Sequence, residues 1–247
     1  MKSPFLPAVA VAALAFAASL PAGAQSLVYD LPGETGGSFT YLTINQGIEY
    51  ADSAHLAGSD RLLDDAVITL YSNIARQATV TLSFYAAVPT QFPDFAGQPG
   101  TIPGDLAAFQ PALTPLWSSG PVLFSLEGDG ANNLNLNQLL FANINTVVPD
   151  DIFWSLQFTN VSNYSDGGAF GPKLENAAAL APTGAATDPS RFYLRDPGDE
   201  WQVVSLGSAP PPTSTLSLQL TAVPEPASAL LLGAAAGAGL IRRKRVS

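Results

Sequence analysis

Between residues 25 and 222 the apolar side chains recur at every second position. Val80, Leu82 and Phe84 alternate with Thr79, Thr81 and Ser83, and Ile152, Trp154, Leu156 and Phe158 alternate with Ser155, Gln157 and Thr159. Leu216, Leu218 and Leu220 alternate with Thr215, Ser217, Gln219 and Thr221. A period of two sends successive side chains to opposite faces of an extended chain, so each run predicts a strand with one face against a core. Further strands are predicted at 27–30, 39–44, 67–71, 122–126, 139–142, 191–194 and 202–206, set apart by Gly, Pro, Asn and Asp clusters. Ten such strands suffice for two packed sheets, and no helical stretch separates them as a parallel βαβ arrangement would require. The predicted fold class is all-β, an antiparallel β-sandwich of jelly-roll-like form.

Two stretches read as loops. Pro89, Pro93, Pro99, Pro103, Pro111 and Pro115 interrupt any ladder, with room for one helical turn over 105–109, and residues 163–190 are rich in Gly, Ala and Pro. Both are expected to be solvated crossovers on the rim, where binding residues of such folds also gather. Pro210-Pro211-Pro212 marks a linker over 207–213, but the alternation after it makes 216–221 the last strand, leaving a stalk of only Ala222 and Val223.

The two ends have a different pattern. Lys2 precedes an apolar run over 5–20, then Pro21 and Ala22-Gly23-Ala24, the order of a secretory signal peptide cleaved after Ala24, which implies passage through the Sec translocon. At the other end stand Pro224-Glu225-Pro226, an apolar run over 227–241, and Arg242-Arg243-Lys244-Arg245. Fifteen helical residues cover about 22 Å, short of a hydrocarbon core of about 30 Å, so this segment anchors marginally. Its basic cluster keeps the tail cytoplasmic and the body outside. The chain thus divides into a signal helix (1–24), a sandwich body (25–222) and a C-terminal hydrophobic helix with its flanks (223–247).

This C-terminal order resembles the PEP-CTERM sorting signal of Gram-negative bacteria. The resemblance implies that a membrane-embedded exosortase recognises the tripeptide, removes the tail, and passes the body to the cell surface or extracellular matrix. It implies recognition roles for Pro224, Glu225 and Pro226, a transient inner-membrane anchor over 227–241, and stop-transfer charge at Arg242, Arg243, Lys244 and Arg245. The prolines fix an extended backbone and remove amide donors, which suits a peptidase substrate. Within the body, the run from Ala78 to Tyr85, then Leu116-Trp117-Ser118-Ser119-Gly120-Pro121, and Val148-Pro149-Asp150-Asp151-Ile152-Phe153-Trp154-Ser155 are similar to β-sandwich ectodomains common among proteins with this signal. Those ectodomains are mostly of unassigned activity. The Asn-Asp-Gly turn often found after the Phe-Tyr strand is replaced here by Ala86-Ala87-Val88-Pro89.

Composition removes several chemistries. With no cysteine there is no disulfide framework, Cys-ligated zinc or thiol nucleophile, and a single histidine rules out a His-pair metal site. Five cations against nineteen carboxylates in the body exclude a nucleic-acid-binding face. His55 has no G-x-S-x-G elbow to serve and is expected to be structural. The carboxylate neighbours Asp64/Asp65, Glu127/Asp129, Asp150/Asp151 and Asp199/Glu200 are raw material for a glycan-acting hydrolase only where two face each other across a cleft. No cofactor is expected. Calcium is the metal that the Asp129, Asp150 and Asp151 loops suit best, although Asp and Asn are also ordinary turn residues. Trp117, Trp201 and Tyr193 are the candidates for stacking on sugar rings, Trp201 being the tryptophan best placed to be exposed, but packing in the core or at the rim is the first expectation and Trp154 is assigned to the core. The expectation is a non-catalytic exported protein. An exopolysaccharide-binding module is the alternative and a hydrolase the third.

Overall fold

The computed structural model describes residues 25–31, 40–42, 44–89, 109–128, 136–164, 170–176, 191–196, 198–205 and 214–224. Among them there is no α-helix; the two terminal helices expected from the sequence, the linker at 207–213 and residues 105–108 lie outside the described residues.

The strands in chain order are β1 (Ser26–Asp30), β2 (Thr40–Tyr41), β3 (Glu49–His55), β4 (Leu62–Ser72), β5 (Arg76–Pro89), β6 (Phe109–Pro111), β7 (Trp117–Ser118) and β8 (Val122–Leu126). They continue with β9 (Leu136–Phe141), β10 (Thr146–Val147), β11 (Asp151–Thr159), β12 (Phe170–Asn176), β13 (Arg191–Arg195), β14 (Gln202–Ser205), β15 (Ser214–Leu216) and β16 (Leu218–Val223). They form two antiparallel sheets. The first runs β1-β16-β4-β12-β15, with β9 and β10 on the other edge of β4 and β2 against β12. The second runs β14-β13-β3-β11-β5-β6, with β7 and β8 also on β5.

The two sheets share one core in a sandwich-like layering. Val80, Leu82 and Phe84 of β5, Ile152, Trp154, Leu156 and Phe158 of β11, and Ile68 and Leu70 of β4 are all fully buried in it, together with Leu218, Leu220 and Ala222 of β16. The β5 and β11 positions, with Leu218 and Leu220, are those read at period two from the sequence, and where the other face is wet, as in β5, a slip of one residue would turn the buried set to solvent. Phe124 of β8 meets Phe141 of β9 edge to face at 5.3 Å, closing the side where the chain crosses between sheets.

The structure differs from the sequence reading in four places. β3 was not foreseen, and residues 163–190 are not all loop, because 170–176 pair with β4, β2 and β15. Gly171 permits this: a Cβ there would lie 1.7 Å from the Leu42 carbonyl oxygen, so only glycine lets β2 approach. Phe109, placed in a helical turn by the sequence, opens β6 instead, and Pro89 and Pro111, expected to interrupt any ladder, lie at the ends of paired strands on the sheet's edge. Finally there is no stalk at Ala222 and Val223: Ala222 pairs with Ser26 and Leu63, and Val223 with Leu62.

Candidate functional site

Part of the second sheet, around β3 and β11, is buried on both faces. Its outer face carries a smaller core of Ala51, Tyr85, Phe153, Tyr193 and Trp201, with Ala87, Phe109 and Val203 packed against it. Tyr193 and Phe153 meet edge to face at 5.1 Å, as do Tyr85 and Trp201 at 5.5 Å. Trp201 is 1 % exposed and Tyr193 2 %, in line with the packing expectation and against an exposed platform at either ring. The reason is local: residues 109–113 strap over these rings, with the Tyr193 hydroxyl donating to Phe109 O (2.7 Å) and Trp201 Nε1 to Ala112 O (3.2 Å). Trp117 is partly buried, its ring 5.7 Å from that of Phe84, and is the only one of the three proposed aromatic platforms with substantial exposure.

Beneath the strap lies a polar clasp that no sequence motif announces. Glu49, buried in β3, accepts from the Tyr85 hydroxyl and the Ser155 hydroxyl, and Arg195 Nε donates to it at 2.7 Å. Arg195 also donates to Tyr85 Oη (2.8 Å) and to Leu113 O (3.0 Å), with its guanidinium 4.2 Å from the centre of the Trp201 ring. Burial first, and then the Glu49 hydrogen bond and charge, push the Tyr85 phenol up to about 12. This geometry fastens the strap and uses the arginine on both its edges and a face. Next to it a cleft of about 560 Å³ opens between Val88, Pro89, Gln110 and Leu113 on one side and Glu200 and Trp201 on the other.

Of the proposed sorting and cleavage residues, Pro224 alone is among the described residues. Pro224 is exposed and follows directly on β16, while Glu225 and Pro226, the basic cluster 242–245, and Ala22 and Ala24 lie outside the described residues. Because Ser26 pairs with Ala222, the two ends of the body emerge side by side. Around them the chain assembles carboxylates. Ser26 Oγ donates to Asp60 (2.7 Å), the Gln25 amide donates to Asp64 and Asp65, and Asp65 accepts from Asn143 N. Arg61 Nε donates to Asp150 (2.6 Å), and His55 Nδ1 lies 2.7 Å from Asp151.

The structure thus brings Asp64/Asp65 and Asp150/Asp151 to one rim, each engaged by a neighbouring side chain or backbone amide. Asp129 lies outside the described residues. No group of three or more His, Asp or Glu among the described residues is placed to hold a metal ion. His55 is half-exposed at the end of β3, with Asp151 rather than a nucleophilic serine as its partner. Comparison with family models, curated proteins and solved structures finds no match.

Proposed function

We propose that this chain is an exported, non-catalytic β-sandwich protein whose C-terminal segment is a sorting tail, removed by an exosortase as the body passes to the cell surface or extracellular matrix. The observation that carries this reading is the order at the C-terminus: Pro224-Glu225-Pro226, fifteen mostly apolar residues, then four consecutive cations. The position of Pro224 supports it. The last core strand ends one residue earlier, so a cut anywhere beyond Pro224 leaves every core residue among the described residues in place. In the clasp the Glu49 carboxylate, the Arg195 guanidinium and the Tyr85 and Ser155 hydroxyls bond to one another and to the strap, which suits a structural role.

The test is a substitution in the native host. Changing Pro224, Glu225 and Pro226 together to alanine leaves the folded body unaltered and should trap the full-length chain in the inner membrane, while the unaltered chain reaches the medium or matrix. Equal delivery of both chains would remove the sorting role from the tripeptide.

A further inference from the structure

We infer that the rim at which both ends of the body emerge is a membrane-facing surface, held against the headgroup layer of the bilayer that the tail enters. The inference rests on the anchoring reading of residues 227–241 and adds which face of the body meets the lipid.

Topology makes the argument. β1 and β16 are antiparallel neighbours with Ser26 opposite Ala222, so the chain enters and leaves the body at the same end of the same sheet. There is no spacer. Val223 is still paired with Leu62, and Pro224 is followed after two residues by the apolar run. A helix that begins in the bilayer three residues past the sheet leaves about 10 Å of chain, too little for the body to stand off or turn over. The apolar run near the N-terminus is separated from Gln25 by four residues and imposes the same geometry until it is cut.

The rim's composition suits a headgroup layer. Its exposed apolar side chains among the described residues include Val147, 56 % exposed and paired to Leu62 beside the exit strand, and Leu27, 39 % exposed and next to Ser26 on β1. Around them stand Asp60, Asp64, Asp65 and Asp150 with Arg61 as the neighbouring cation. This excess of carboxylates matches the ammonium groups of zwitterionic headgroups and is repelled by anionic lipid within a Debye length of about 8 Å. The opposite rim, at the turn between β4 and β5, is about 33 Å away, ten residues of β4 at about 3.3 Å each.

The absence of cysteine allows unique labels. Ser59→Cys and Ala142→Cys place a fluorophore on the proposed contact rim; Ala75→Cys and Gln77→Cys place it on the far one. Each variant, beginning at Gln25 so that the tail is its one apolar anchor, is reconstituted into phosphatidylcholine–phosphatidylethanolamine vesicles carrying a headgroup acceptor, and flotation is scored first. Chains that do not float would refute the anchoring reading and this inference with it. Chains that float with energy transfer at least about twofold greater from 59 and 142 than from 75 and 77 bear the inference out, given the roughly 33 Å between the rims. Floating chains with equal or reversed transfer overturn the inference and leave the anchor standing. Inserting a ten-residue Gly-Ser spacer between Val223 and Pro224 should abolish the difference; a contrast that survives the spacer would show adhesion by the rim itself and contradict the tether argument.

Discussion

Replacing Arg195 by methionine isolates the charge inside the clasp. Glu49 is 7 % exposed, and the Arg195 side chain that pairs with it is 12 % exposed, so the pair sits where removal of one partner strands the other. Methionine keeps most of the side-chain volume against Trp201 but leaves a buried carboxylate with only the Tyr85 and Ser155 hydroxyls as donors. Breaking a buried pair in this way costs about 3–5 kcal/mol. That is a large share of the 5–15 kcal/mol, roughly, that holds a domain folded. Changing Glu49 to glutamine in the same chain removes the stranded charge and retains an acceptor. The double variant Glu49→Gln/Arg195→Met should therefore be at least about 2 kcal/mol more stable than Arg195→Met alone. Urea unfolding followed by tryptophan fluorescence reads both numbers, with Trp201 lying against the guanidinium as reporter. A single variant that loses less than about 1 kcal/mol, as a solvent-exposed pair would, or a double variant no better than the single, would refute the clasp.

Alkaline pH should also act through this cluster. The Tyr85 phenol keeps its proton to about pH 12 in the folded chain, whereas the unfolded chain releases it near 10. The unfolded state therefore binds fewer protons across that window, and stability falls by up to about 1.4 kcal/mol per pH unit between them. Tyr85→Phe should show a shallower decline in urea midpoints over the same range, and an identical slope would contradict the assignment. Asp52, 1 % exposed in β3, accepts from Leu216 N across the core, so Asp52→Ala leaves a buried amide unanswered and should cost about 3 kcal/mol in chemical unfolding. Gly171→Ala forces a Cβ onto the Leu42 carbonyl and should lower the melting temperature while speeding exchange of the Leu42 amide, which now donates to Pro172 O; unchanged exchange would mean that β2 does not pack there. A chain stopped after Ser217 lacks the strand between β1 and β4 and should fail to fold, whereas one stopped after Pro224 should unfold cooperatively.

Where one face of a strand is wet, its period of two was readable. In β5 the exposed Gln77 and half-exposed Thr79 and Thr81 flank buried Ala78, Val80 and Leu82, and the pattern survives in the sequence. β3 is different. It lies inside the second sheet with both faces covered, so six of its seven residues are buried and no alternation marks them. Its polar residues look like loop chemistry until their partners are seen: Arg195 for Glu49, Leu216 N for Asp52, Asp151 for His55. β12 was hidden for the opposite reason, since Gly171-Pro172 is a breaker pair in isolation and here admits the close approach of β2. Trp201, flanked by Glu200 and Gln202, looked like a surface residue. Its burial depends on a strap more than eighty residues away in sequence, which no local pattern encodes. The proposed sorting signal is the converse case, legible because its order is linear, with the fold contributing only that Pro224 stands free of the core.

The central claim, that the tail is a sorting device removed from a finished body, is tested most directly by the intact mass of the protein recovered from the medium or matrix of its native host. The account predicts a single species that begins at Gln25 and ends close to Pro224–Pro226, at or beyond the end of the last core strand. A species that retains residues 227–247, or one cut upstream of Val223, would contradict it.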